Sequence, residues 1–130
     1  MNIVTYHAPD VPLGLYSRLS KLTLGEEGLM WNAFKDCGKG GMIGRVHIAY
    51  VDNRIRGWSL RWRYPSERGW YLYLYVQPEY RQQGIASALA HQAIRYTKKE
   101  GNVKCFPWDE SSNKFFERLY NKSNKVTLLF

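Results

Sequence analysis

The sequence predicts an α/β protein of six strands and four helices in the order β-α-α-β-β-β-α-β-α-β, and three observations carry that reading. Strand-like alternation runs through the middle of the chain, in "MIGRVHIAYV", "RIRGWSLRWRY" and "WYLYLYV". Apolar residues at helical spacing flank it, in "DVPLGLYSRLSKLTL" before and "GIASALAHQAI" after. At 130 residues the chain has the length of one domain, 1–130, with enough apolar residues for a sizeable core.

The first strand is "MNIVTYHA". Asp10 is the expected N-cap of the first helix, with Pro12 in its first turn and Leu15, Leu19 and Leu22 on its buried side. "EEGLMWNAFKDCG" predicts a short second helix with Leu29, Ala33 and Phe34 on one side and Gly38 as its stop. "GKGG", residues 38–41, lacks the closing Gly-Lys-Ser/Thr of a phosphate loop and runs into a strand rather than a helix, so it reads as a connection. Asp52 and Asn53 suit a tight hairpin turn between the second and third strands.

In the third strand Ile55 falls on the opposite parity to Trp58, Leu60, Trp62 and Tyr64, and a bulge at Gly57 would bring them onto one face. The fourth strand places Trp70, Leu72, Leu74 and Val76 on one side and Tyr71, Tyr73 and Tyr75 on the other, a pattern for burial on both faces. A helix is expected from Gln82 or Gln83 to about Glu100, with Ile85, Leu89, Ala93 and Ala86, Ala90, Ile94 as its buried rows. "VKCF" is a short strand, "ESSNKFFERLYNK" a helix and "VTLLF" the last strand.

The net charge of +8 and pI near 9.6 favour a partner or ligand that carries negative charge: phosphate, nucleic acid or an acidic surface. The excess is concentrated in residues 51–100, where 9 basic residues face 4 acidic ones. Arg54, Arg56, Arg61, Arg63 and Arg68 are expected mostly to share one face of the third strand and its turn, and Arg61, Arg63, Tyr71 and Tyr73 are candidates for a substrate or partner face. Two distant cysteines with no CxxC, and an N-terminus without a signal-peptide pattern, lead us to expect a reduced, cytoplasmic protein. No apolar run reaches the roughly 18 to 20 residues that cross a bilayer, so no membrane span is expected. His7, His47 and His91 lack metal-ligand spacing and no Gly-x-Ser-x-Gly elbow occurs, so neither a metal site nor a serine nucleophile is expected.

One stretch carries specific chemistry: "YLYLYVQPEYRQQGIASALAHQAI", residues 71–94. A strand ending at Val76, a short loop and a helix opening on Gly-Ile-Ala present unpaired backbone N–H groups at the positive end of a helix dipole, a setting that binds phosphate. Gly84 lets a bulky anion reach the main chain, Ala86 keeps the next turn low, and Arg81 adds positive charge.

"VQPEYRQQGIASALAHQAI" resembles the acyl-CoA-binding segment of the GNAT N-acetyltransferase superfamily, whose loop reads Arg/Gln-x-x-Gly-x-Gly/Ala; Arg81, Gly84 and Ala86 match it. The resemblance extends over the whole element order and is sharp over residues 71–120. It implies a central mixed, mostly antiparallel sheet with a V-shaped splay between the fourth and fifth strands, and acetyl-CoA as co-substrate. It also implies that backbone groups of Leu74, Tyr75 and Val76 pair with the pantetheine arm, Leu74 polarising the acyl carbonyl, and that amides of Gln82, Gln83, Gly84, Ile85, Ala86 and Ser87 hold the pyrophosphate.

The family's second segment, Asn-x-x-Ala-x-x-Phe-Tyr-x-x-x-Gly-Phe, fits best with Asp109, Ser112, Phe115 and Phe116 followed by Tyr120 and Asn121, and departs from the pattern. Asp109 and Phe116 thereby join the cofactor-binding set. The Tyr that often protonates the departing thiolate is Phe116 here, and Tyr120, one turn later, becomes the candidate general acid. The family's Glu on the fourth strand is missing; Asp109, Glu67 and Glu79 are the nearest acids in sequence.

The expected activity is acetyl transfer from acetyl-CoA to a primary amine of a protein lysine or N-terminus, a small molecule or a tRNA, by direct attack. The acceptor is expected to be acidic or nucleic-acid-associated, and the protein a monomer or homodimer. The competing reading is a basic nucleic-acid or protein-binding module with a vestigial CoA site.

Overall fold

A single six-stranded sheet organises the chain, and its strands lie side by side in sequence order. The structure, a computed structural model, describes residues 1–23, 28–97, 103–105, 114–115, 118 and 126–128. The strands are β1 (Asn2–His7), β2 (Ile43–Val51), β3 (Arg54–Arg63), β4 (Trp70–Val76), β5 (Val103–Cys105) and β6 (Val126–Leu128); the helices are α1 (Leu13–Leu22), α2 (Gly28–Asp36) and α3 (Ile85–Thr97). β1 to β4 pair antiparallel, whereas β4–β5 and β5–β6 are parallel, which gives the mixed, mostly antiparallel sheet that was expected. Residues 114, 115 and 118 are helical within the predicted fourth helix, and the rest of that segment lies outside the described residues.

Two expected helix starts are corrected. Asp10 caps no α-helix: it ends a 3₁₀ turn, Ala8–Asp10, closed by the bond from the Val11 N–H to the Ala8 carbonyl at 3.3 Å. Val11 is extended, as the residue before a proline must be, so α1 opens only after Pro12. The third helix starts at Ile85 rather than at Gln82 or Gln83, because Gln82 and Gly84 have φ of 64° and 85°, outside the right-handed helical region.

The hairpin between β2 and β3 turns on Asp52 and Asn53, both at positive φ (52° and 62°). Beside it, Ala49 pairs with Gly57 while Tyr50 pairs with Ile55, so β3 carries a bulge whose extra residue is Arg56. The parity problem of the sequence is thereby resolved: Ile55 packs on the same cluster as Trp58, Leu60 and Trp62.

That cluster fills the face covered by α1 and α2, with Leu19, Ala33, Phe34, Val46, Ile48, Tyr73 and Tyr75. Its aromatic rings meet edge-on, tilted and stacked: Tyr16 is edge-on to Phe34 at 4.9 Å, Trp58 is tilted against Tyr73 at 5.5 Å, and Trp31 is stacked on Phe34 at 5.9 Å. The opposite face packs Ala49, Leu72, Leu74 and Val76 under Ile85, Leu89, Ala90 and Ala93 of α3. β4 is therefore covered on both sides, with every residue but Tyr71 buried. No described helix is long and apolar enough to cross a membrane.

Candidate active site

The site is built at the C-terminal end of β4, beyond its last described pair with β5. Past the end of β4 the Gln77 N–H donates to the Arg56 carbonyl of β3 at 2.8 Å. A strand repeats every two residues, so the main-chain groups of Tyr75 and Tyr73 also point to β3, and those of Leu74 and Val76 point away, to the β5 side. Among the described residues, pairing with β5 stops at Leu72↔Cys105. Leu74 and Val76 thus present main-chain donors and acceptors beyond the last described pair, at the position of the expected splay.

The chain leaves β4 through a 3₁₀ turn, Pro78–Tyr80, with the Tyr80 N–H bonded to the Gln77 carbonyl at 2.8 Å. Gln82 and Gly84 then swing through left-handed backbone, and α3 begins. Its first main-chain bond runs from the Ala88 N–H to the Gly84 carbonyl at 3.0 Å, so the N–H groups of Ile85, Ala86 and Ser87 have no partner in the helix ladder. Arg81, Gln82, Gln83, Gly84 and Ser87 are exposed, Ala86 is half-buried, and Ile85 is buried against the sheet. A side-chain carbon built on Gly84 would meet nothing within 4 Å. A helix start with unbonded N–H groups, open space beside Gly84 and the exposed Arg81 together suit a pyrophosphate.

Arg81 is more than a nearby charge. Its Nε donates to the Val76 carbonyl at 2.9 Å, tying the loop back to the end of β4, and its guanidinium lies 5.9 Å from the Tyr75 ring centroid. The Val76 carbonyl is consequently taken; among the described residues the Val76 N–H and the Leu74 groups lie beyond the β4–β5 pairs. Gln83 contributes a bond of its own side chain to the Glu79 carbonyl at 3.3 Å.

The expected arginine face is corrected. Arg61 is 5% exposed: it pairs with Leu72 on the α3 side of the sheet, donates from Nε to His47 Nε2 at 3.1 Å, and lies 4.5 Å from the Trp70 ring centroid. Tyr73, 4% exposed, is in the aromatic core on the other side of the sheet. Arg61 and Tyr73 therefore share no surface, because alternation sends adjacent strand positions to opposite faces and both faces are covered. Arg63 and Tyr71 are half-buried, and only Arg54 and Arg68 of the five arginines are exposed.

The Arg61 contact fixes the state of His47. A guanidinium only donates, so Nε2 accepts, the ring proton sits on Nδ1, and Nδ1–H donates to Thr5 Oγ1 at 2.8 Å. Burial first, then the charges of Arg61 and Arg45, push its pKa down to about 4. Tyr71 donates its hydroxyl proton to Glu67 Oε2 at 2.8 Å, and Lys104 Nζ stands 4.0 Å from the same oxygen. Burial, then Glu67 and Tyr64, push the Tyr71 phenol up to about 12. Glu67 is thus held by a phenol and an ammonium. Cys37 is buried, bonded from Sγ to the Ala33 carbonyl at 3.1 Å, and pushed up to about 11 by burial, so it stays an inert thiol at neutral pH.

Asp109, Phe116 and Tyr120 lie outside the described residues. Among the described residues no three of His, Cys, Asp and Glu come together as a metal site. Two residues that sequence reasoning missed brace the loop: Arg56, taken for a surface arginine, and Gln77, which it bonds. The parity break at Gly57 signals the bulge, but the pairing of residues 56 and 77 becomes visible only with the β3–β4 register.

These parts, a strand whose described pairing with β5 ends at Leu72 and a helix start with unbonded N–H groups beside it, are those expected of an acyltransferase. The sequence pattern of the Acetyltransferase (GNAT) family matches residues 9–121, and the chain belongs to that family. Its members use acetyl-CoA, and this chain is an N-acetyltransferase by its family.

Three solved structures share the fold. The ribosomal-protein-alanine N-acetyltransferase from Brucella melitensis biovar Abortus 2308 superposes with a TM-score of 0.64 at 17% identity, covering 92% of this chain and 91% of its own. The GNAT family protein SP0256 from Streptococcus pneumoniae TIGR4 gives 0.65 at 18% identity, covering 92% and 86%. An aminoglycoside 6'-N-acetyltransferase complexed with coenzyme A gives 0.53 at 18% identity, covering 75% and 56%. No sequence match is found among curated proteins.

Proposed function

We propose that this chain transfers the acetyl group of acetyl-CoA to a primary amine by direct attack, with the loop at residues 81–87 as the pyrophosphate site. One observation supports the reading: at the start of α3, where the first N–H groups have no partner in the helix ladder, Gly84 has a positive φ and a side-chain carbon on it would meet nothing within 4 Å. Bound there, acetyl-CoA supplies an activated thioester. The chain supplies the geometry. The loop amides and the α3 dipole hold the diphosphate, the main-chain groups of Leu74 and the Val76 N–H align the pantetheine arm along the β5 side of β4, and the Leu74 N–H polarises the acyl carbonyl.

A preorganised main-chain donor needs no reorientation as negative charge develops on that oxygen. Tyr120 is the proposed proton donor to the leaving thiolate, being a phenol that is neutral at pH 7. Glu67 is a poor choice of base, since it already accepts from Tyr71 and neighbours Lys104; an acceptor that arrives as the free amine needs no base for the attack, and the N–H proton it sheds as the C–S bond breaks passes through water to restore the Tyr120 phenol. The net charge of +8 supports an acidic or nucleic-acid-associated acceptor. The test is calorimetry of the pure protein with acetyl-CoA, followed by mass spectrometry of cell extract incubated with protein and labelled acetyl-CoA. Micromolar binding and labelled amines are expected; no binding would overturn the reading.

A further inference from the structure

The bulge in β3 does more than realign the tryptophans. Its extra residue, Arg56, has no partner position on β2, and it grips Gln77 twice. The Arg56 carbonyl accepts from the Gln77 N–H at 2.8 Å, and Arg56 Nη1 donates to Gln77 Oε1 at 3.0 Å. Its guanidinium also lies 4.2 Å from the centroid of the Tyr80 ring, while the Tyr80 N–H is bonded to the Gln77 carbonyl. These contacts converge on residues 77–80, the turn from which the loop 81–84 departs.

That loop has reason to be braced. It is exposed, and Gln82 at φ 64° holds a conformation that costs a non-glycine residue on the order of 1 kcal/mol, which persists only where the surroundings enforce it. Arg56 also forgoes something: its Nε is buried without a hydrogen-bond partner, an arrangement that disfavours an arginine kept for surface charge alone.

We infer that Arg56 is a positioning residue for the pyrophosphate of acetyl-CoA, acting through Gln77 and Tyr80 rather than by touching the anion. The inference rests on the loop assignment of the preceding subsection. The residues that would bind the anion are the amides of residues 82–87; Arg56 sets the turn that aims them. The carbonyl half of the grip belongs to the main chain and survives any substitution; the side-chain half needs a planar guanidinium, which bonds Gln77 from Nη1 while it covers the Tyr80 ring, and a point charge cannot do both.

The test compares coenzyme A, by calorimetry, with S-acetyl-pantetheine, which lacks the diphosphate, by NMR titration. Arg56→Met is expected to weaken coenzyme A binding about 10-fold, the equivalent of one lost hydrogen bond, and to leave S-acetyl-pantetheine binding unchanged. Arg56→Lys should behave like Arg56→Met. Gln77→Leu should give the same loss, and the double variant should be no worse than either single one, since both act on one turn. Equal losses for the two ligands, wild-type affinity in Arg56→Met, or wild-type affinity in Arg56→Lys would each overturn the inference. If the wild-type protein itself fails to bind coenzyme A, the loop assignment falls with it; if only the variants behave like wild type, the role of Arg56 falls alone.

Discussion

The Cγ2 methyl group of Ile85, first residue of α3, rests on Gly57 of β3, where a side-chain carbon would lie 3.0 Å from it and 2.9 Å from the Tyr75 carbonyl oxygen. The start of α3 is seated directly on backbone. Gly57→Ala is therefore expected to lift the first turn of α3, destabilising the protein by about 1 to 3 kcal/mol in urea denaturation. Acetyl-CoA affinity should fall with it, measured by calorimetry at a temperature where the variant is folded.

Gly84 presents the opposite case, since a side chain there meets open space rather than protein. Gly84→Val should stay folded, with a strain cost of about 1 to 2 kcal/mol from its φ of 85°, yet lose acetyl-CoA binding altogether. Circular dichroism together with calorimetry checks both halves. Micromolar binding in a folded variant would remove the loop from the site.

Arg81→Ala deletes both the bond to the Val76 carbonyl and one charge while leaving the loop amides in place. Acetyl-CoA affinity is expected to drop about 10-fold, less than in Gly84→Val. The loss should shrink at high salt if charge dominates and persist if the clamp does.

The His47 pair makes stability depend on pH. The folded-state pKa, about 4, lies below the usual 6.5 of an unfolded histidine, so between these values the unfolded chain binds more protons. Stability present above pH 6.5 should decline as the pH falls towards 4, by on the order of 2 kcal/mol from this residue. Urea titrations at pH 7, 5.5 and 4.5 measure it. His47→Gln, which cannot titrate, should flatten that part of the profile at some cost at pH 7.

Tyr120→Phe keeps the ring and removes the proton. Turnover with a known acceptor at saturating acetyl-CoA is expected to fall about 100-fold with little change in acetyl-CoA affinity. Full activity would assign the proton to water or to the acceptor amine.

The sequence by itself determined what local chemistry can determine. The alternation of Trp70 through Val76 specifies a strand covered on both faces, Asp52-Asn53 specifies a positive-φ turn, and Arg81, Gly84 and Ala86 mark a helix start open to an anion. These follow from side-chain period and backbone permission, which are properties of a few consecutive residues. What tertiary structure decided depends on partners far apart in the chain. Arg61 reads as a surface cation, yet it is buried because Leu72 lies opposite it, His47 meets its Nε and Trp70 its plane. Tyr73 reads first as a packed sheet face and second as a candidate lining of the acceptor site, and Trp58 settles it as core. Arg56 looks like one more basic residue until the β2–β3 bulge and the β3–β4 register set it beside Gln77 and Tyr80. Register is fixed by the summed packing of two whole faces, so a one-residue shift reverses every such assignment, and no short stretch of sequence holds that information.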